Sequence, residues 1–287
     1  MIQQKAYGKI NLALHIRGTR DDCYHDIDTV FQSIGIYDTI TLEEAPDVQL
    51  TCSRPELPCD KTNLAAKAVA ALMPYNKKNK GVHIHIEKKI PIAAGLAGGS
   101  TDCAAVLKGM NRLWDLGLCQ EELMTIGRTL GADVPFCLLG GTARGTGRGD
   151  ELTPLQDVPV WPVIIVHPHL QVSTADAYRL YDTRADLKHV DIDAMVAAVE
   201  RESLDEVIAA QGNTFEELVI PQHTHIERCK DALEMYDLKP LMTGSGPTIF
   251  ALVPPTVGVG EVSAMVRSVI DRTDVIVVKT IKRGSMQ

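Results

Sequence analysis

Apolar and polar residues alternate along Val82-His-Ile-His-Ile86. A period of two predicts a strand with Val82, Ile84 and Ile86 on one face and His83, His85 and Glu87 on the other. The same reading predicts a strand or strand pair over residues 2–16 and two strands over 28–43, broken at Gly35-Ile-Tyr-Asp38. An alanine-rich helix is predicted over 62–73, closed by the lysine run 77–81, with further helices over 101–114 and 120–130. Gly131 follows the last of these at the position where helices commonly stop. The apolar run 136–139 predicts a short strand, and 140–150 a glycine-rich turn region.

Three prolines fall between Thr153 and Pro162, and the domain boundary is placed there, giving domains of 1–155 and 156–287. Beyond it the pattern predicts a strand at 163–166, helices within 174–209 and across 222–236, and a strand–turn–strand around Gly244-Ser-Gly246. A helix over 261–272 and a strand over 274–280 complete the chain.

The richest chemistry lies in Pro91-Ile-Ala-Ala-Gly-Leu-Ala-Gly-Gly-Ser-Thr-Asp102, a glycine turn running straight into a helix. Glycines let backbone N–H groups approach a bulky anion, and the helix N-terminus adds unpaired N–H groups at the same point. A turn that merely links strand to helix is the plainer alternative. The Walker pattern is absent because no lysine follows Gly99, and Gly95, Gly98 and Gly99 do not make Gly-x-Gly-x-x-Gly.

This segment resembles the ATP-binding motif of the GHMP kinases. Lys9-Ile-Asn-Leu-Ala-Leu-His15 is similar to that family's N-terminal motif and Met242-Thr-Gly-Ser-Gly-Pro-Thr248 to its C-terminal one. Arg17 to Ile34, with Tyr24-His25 and Thr29-Val-Phe-Gln32, resembles the members that act on a CDP-linked polyol, as do Asn63-Leu-Ala-Ala-Lys67 and Leu130-Gly-Ala-Asp-Val-Pro-Phe136. Four positions depart from the usual pattern: Ala97 and Cys23 stand where glycine is common, Thr101 replaces a common Ser, and Cys103 a common Ala.

The resemblance implies a two-domain α+β fold. Its N-terminal domain would be like a domain of a ribosomal protein, its C-terminal domain ferredoxin-like, and the catalytic cleft would lie between them. It also implies ATP and Mg²⁺, and phosphorylation of the polyol at its 2-hydroxyl. The triphosphate would meet Pro91, Ala94, Gly95, Leu96, Ala97, Gly98, Gly99, Ser100 and Thr101, with Asn63 towards the adenine. Asn11, Tyr24, His25 and Tyr178 would meet the second substrate, His25 reading the cytosine between Tyr24 and Tyr178.

Ser100 can serve as a helix cap, reach phosphate or Mg²⁺ with its hydroxyl, or both. Asp133, just past a predicted helix end, would be the general base. Lys9 sits in an apolar strand, where an ammonium needs a partner unless it snorkels to water. With the resemblance, Lys9 is expected to pair with Asp133.

Composition narrows the rest. A formal charge of −8 disfavours a nucleic-acid partner, which needs a basic face. No apolar run reaches the roughly 20 residues of a membrane span, and the N-terminus lacks signal-peptide regions. A cytoplasmic protein is expected. The cysteines number seven, without Cys-x-x-Cys, which fits reduced thiols. Pairs at His83/His85, His167/His169 and His223/His225 read as polar strand or loop residues rather than metal ligands, and Arg144 and Arg148 as solvated. Competing functions are a relative acting on homoserine or mevalonate, or a silent nucleotide-binding module. A nicotinamide dehydrogenase is disfavoured because no Rossmann loop follows the first strand.

Overall fold

The computed structural model describes residues 1–77, 80–184 and 186–286. In chain order its elements are β1 (Ile2–Thr19), β2 (His25–Ala45), β3 (Val48–Cys52), α1 (Leu64–Leu72), β4 (Gly81–Glu87), α2 (Gly98–Leu113), α3 (Gln120–Leu130) and α4 (Val134–Leu139). There follow β5 (Thr142–Thr146), β6 (Glu151–Pro154), β7 (Pro162–Pro168), α5 (Thr174–Asp182), α6 (Ile192–Glu200), α7 (Leu204–Ala210), β8 (Gly212–Asn213) and α8 (Glu216–Val219). The last are α9 (Thr224–Glu234), β9 (Leu241–Met242), β10 (Ile249–Leu252), α10 (Val259–Val269) and β11 (Thr273–Lys279).

Two sheets organise the described residues. The first runs β3-β4-β2-β1-β8, and β5 joins β2 and carries β6. The second runs β11-β7-β10-β9. With helices after β7 and β10, it has the βαββαβ order of a ferredoxin-like unit. The α+β architecture implied by the resemblance is thus present. The predicted boundary near 155 falls just before β7, although β8, from the later half, pairs with β1 in the first sheet.

Three local expectations are corrected. β2 is one strand, not two: it passes through Gly35 without a break. Its early part pairs with β5 at Thr29–Gln32, its late part with β4 at Thr39–Ala45. Residues 136–139 belong to helix α4, because a short apolar run buried on all sides suits helix or strand equally, and Pro135 favours the first helical turn. The glycine-rich stretch after it contains β5, since pairing with β2 supplies the strand its backbone partners. Part of the lysine run 77–81 lies outside the described residues.

The predicted polar face of β4 is present: Thr51 Oγ1 lies 3.0 Å from His83 Nε2 and 2.9 Å from His85 Nδ1. Val82, Ile84 and Ile86 are fully buried against α1 and α2. On its other side, the first sheet packs Ile10, Val30 and Ile34 against Val163, Ile165 and Phe250 of the second sheet. One core therefore joins the two sheets, and the loops at its rim meet around a cleft.

Candidate active site

The register of β1 against β2 shifts on either side of Lys9 and Asn11: residues 34–36 of β2 stand opposite Gly8, and Leu12 is an extra residue on β1. A bulge re-aims side chains, and residues two apart share a face. Lys9 and Asn11 consequently stand together: Lys9 Nζ donates to Asn11 Oδ1 at 2.9 Å. Asn11 is held by three further bonds. Its Nδ2 donates to Thr29 Oγ1 at 2.8 Å, its backbone N–H to Thr243 Oγ1 at 3.1 Å, and Thr243 Oγ1 donates to Asn11 Oδ1 at 3.3 Å. The ammonium is buried, 5.4 Å from the centre of the Phe31 ring. Asp133 Oδ2 lies 3.8 Å from the ammonium, on a carboxylate that remains 36% exposed. Asp133 stands at the N-terminal end of α4, where its charge is favoured by the helix dipole.

The loop before α2 has an unusual backbone. Ala93, Gly95 and Ala97 all have positive φ (54°, 73° and 59°), while Ala94 and Leu96 between them do not. Alternation in the sign of φ is a feature of anion-binding backbone nests, in which successive N–H groups face one side. The long helix α2 begins immediately afterwards, adding its free N–H groups. A buried cluster lies under the loop. Lys88 Nζ donates to Asp38 Oδ2 and Asp102 Oδ2, both at 2.6 Å, and Asp38 Oδ1 accepts from the backbone N–H of Lys89 and Ile90. It fastens the loop's two ends to β2 and α2. Burial pushes the Asp102 carboxyl up to about 8, against the pull of Lys88.

A cleft of about 1000 Å³ connects these parts. Lys9, Asn11 and Asp133 line it, as do Ala94, Gly95, Ala97, Gly98, Gly99 and Ser100. Tyr24, His25 and Tyr178 line the same cleft. Four expected nucleotide contacts fall outside that lining. The Leu96 side chain is fully buried in the core, and its carbonyl accepts from the Lys9 N–H. The Thr101 hydroxyl donates to the Gly98 carbonyl. Asn63 caps α1, accepting from Ala65 N–H and donating to Pro58 O. Pro91 is half-buried ahead of the loop.

The nucleobase end has its own geometry. His25 is stacked on Tyr178, centroids 4.3 Å apart and planes 19° apart, with Tyr181 edge-on at 5.5 Å. His25 Nε2 is 2.7 Å from Asp182 Oδ1. Burial, reinforced by the Asp133 charge, raises the Tyr178 phenol to about 12, so it stays neutral. Tyr24 is 56% exposed, with the Arg148 guanidinium 5.1 Å over its ring.

Arg148 is not simply solvated: it sits in the cleft wall, paired with Asp150. Arg144 is likewise engaged, in a two-pronged bond to the buried Asp28. Sequence reasoning missed Asp182 altogether and read Arg148 as solvated within a glycine-rich stretch like a phosphate loop. It took 243–247 as backbone near the substrate or a plain turn, without the role of the Thr243 side chain.

Comparison with known proteins agrees with this architecture. A family model described as GHMP kinases N terminal domain matches residues 63–141, and one described as GHMP kinases C terminal matches 195–271. The chain is 42% identical over 251 residues to the 4-diphosphocytidyl-2-C-methyl-D-erythritol kinase of Caldicellulosiruptor bescii, covering 86% of this chain and 88% of that protein. It is 41% identical over 257 residues to the enzyme of the same name from Gloeobacter violaceus, covering 88% and 85%. A crystal structure of 4-(cytidine 5'-diphospho)-2C-methyl-D-erythritol kinase superposes with a TM-score of 0.80 at 29% identity, covering 97% of this chain and 99% of that one. No helix among the described residues is long and apolar enough to cross a membrane. The chain belongs to the GHMP kinase family, alongside the 4-diphosphocytidyl-2-C-methyl-D-erythritol kinases.

Proposed function

We propose that this chain transfers the γ-phosphoryl group of ATP to the 2-hydroxyl of 4-diphosphocytidyl-2-C-methyl-D-erythritol. The observation that carries the reading is the Lys9–Asp133 pair, 3.8 Å apart in the cleft that the glycine loop also lines. Phosphoryl transfer asks a protein mainly for positioning and charge stabilisation. The loop at 93–97 and the start of α2 hold the triphosphate. Asp133 takes the proton from the substrate hydroxyl as its oxygen bonds to the γ-phosphorus. The bond from that phosphorus to the bridging oxygen breaks, and ADP leaves with the electron pair. Lys9, steadied by Asn11, offsets the negative charge that gathers around the attacking oxygen.

His25, Tyr24 and Tyr178 receive the cytosine ring, whose flat face and polar edge suit stacking and hydrogen bonding. Because Tyr178 already stacks on His25, Tyr24, more than half exposed although Arg148 lies over its ring, is the ring that takes a base face. Mg²⁺ fits as a companion of the triphosphate. The cleft offers the Ser100 hydroxyl and the Asp133 carboxylate as hard oxygen donors, and no cluster of three His, Cys, Asp or Glu ligands exists among the described residues to hold it alone. When bound it would neutralise phosphate charge.

ADP release measured with the CDP-linked polyol, homoserine and mevalonate tests the reading. Turnover is expected with the CDP-linked alcohol. Preference for either other alcohol, or silence with all three, overturns it.

A further inference from the structure

His25 is gripped from one helix. Tyr178 lies against its face, Tyr181 against its edge, and Asp182 takes its Nε2. All three belong to α5, far along the chain from β2, where His25 sits. Asp182 is the last residue of that helix. A carboxylate there faces the negative end of the helix dipole, so nothing in the helix itself favours it. Its stabilisation comes from outside: the hydrogen bond from His25 holds its carboxyl below the usual carboxylate range, and Thr19 Oγ1 donates to the same oxygen at 3.0 Å.

An ionised carboxylate can only accept. Across a 2.7 Å contact, Nε2 must therefore carry the proton. In the neutral imidazole that leaves Nδ1 as a bare acceptor. Nδ1 has no hydrogen-bond partner among the described residues and is not a buried orphan, and His25 lines the cleft. An acceptor presented there matches a donor on the incoming ring.

We propose that Asp182 is a positioning residue that fixes His25 in the Nε2–H tautomer and so makes the site prefer an amino-pyrimidine to an oxo-pyrimidine. The cytosine 4-amino group donates to Nδ1. Uracil presents a carbonyl oxygen at that position, acceptor against acceptor. The inference rests on the reading that His25 meets the base.

The test compares kcat/KM for the CDP-linked substrate and its UDP-linked analogue in the wild type, Asp182→Ala and Asp182→Asn, with ¹⁵N NMR of the His25 ring. The carboxylate is 44% exposed, so both variants are expected to fold. In Asp182→Ala the CDP-linked KM is expected to rise about five- to tenfold, the scale of one lost hydrogen bond. The KM for ATP should stay put, the cytidine-over-uridine ratio should shrink by the same factor, and the Nε2–H signature should give way to a tautomer mixture. Asp182→Asn, which keeps an acceptor oxygen, is expected to fall between. A wild type indifferent to cytidine or uridine overturns the reading of His25 beneath this proposal. A wild-type preference that survives unchanged in Asp182→Ala overturns the role of Asp182 alone.

Discussion

Gly95 lies against the carbonyl of Thr243, so close that a methyl group at position 95 would penetrate that oxygen. The glycine loop before α2 and the one before β10 thus touch through bare backbone. The contact matters for the site because Thr243 also holds Asn11, which holds Lys9. Gly95 has φ of +73° as well, a region costly for residues with a Cβ. Gly95→Ala is expected to lower stability by about 2 kcal/mol or more and to raise the KM for ATP. Thermal melting and steady-state kinetics check both; an unchanged melting temperature would mean that the two loops do not need this approach.

Lys9 and Asp133 are expected to behave as one unit. Asp133→Asn should reduce kcat by about 10²-fold or more, the usual scale for losing a general base, with little loss of stability because the side chain is partly solvated. Lys9→Met should also reduce kcat. Groups acting in one step are strongly non-additive. The double variant is therefore expected to be scarcely slower than Asp133→Asn alone. Independent, multiplying effects in that cycle would separate the two roles.

Lys9, Asp133 and the glycine loop were legible in the sequence because their segments resemble GHMP kinase motifs; by residue type alone each kept a plainer reading, as a snorkelling lysine, a solvated carboxylate or a linking turn. The continuity of β2 was not, since Gly35 reads as a breaker. Gly35 instead lies in the stretch 34–36 where the register of β2 against β1 shifts, and Ile34 beside it bridges Thr280. Nor was α4, because an all-buried apolar run carries no period. Asp182 and Arg148 were hidden for a different cause. A surface-type residue acquires its role from what a distant element sets against it, and no local pattern records that.

The two departures from glycine fall where glycine would be easiest. Ala97 has φ 59° and ψ 29°, and Cys23 has φ 62°. Both are left-handed, which costs a residue with a Cβ about 1 kcal/mol. Ala97→Gly and Cys23→Gly are each expected to stabilise the fold by a few tenths to about 1 kcal/mol, the gain being trimmed by glycine's greater freedom when unfolded. Ala97→Val should lose stability. Denaturant unfolding measures all three. A loss in Ala97→Gly would show that the methyl group makes packing contacts outweighing the backbone strain.

Asp102 gives the fold a pH dependence of definite sign. In the folded chain, burial keeps its proton on up to about pH 8; unfolded, the carboxyl releases it near its ordinary value of about 3.9. Between these limits the folded state binds more protons, so this group makes stability fall as pH rises, by at most about 1.4 kcal/mol per pH unit. Lys88 is raised by its two carboxylates, so its contribution is complete below its ordinary value of 10.5 and is lost only above it, outside this window. His15 and His167, lowered by burial, act in the opposite direction but only below about pH 6.5. From pH 6.5 to 8 the Asp102 slope stands clear of them. Asp102→Asn removes the titration and leaves the Lys88–Asp38 pair in place. Its stability relative to the wild type is therefore expected to rise steadily across that interval in denaturant melts, and parallel wild-type and variant curves would place the Asp102 proton elsewhere.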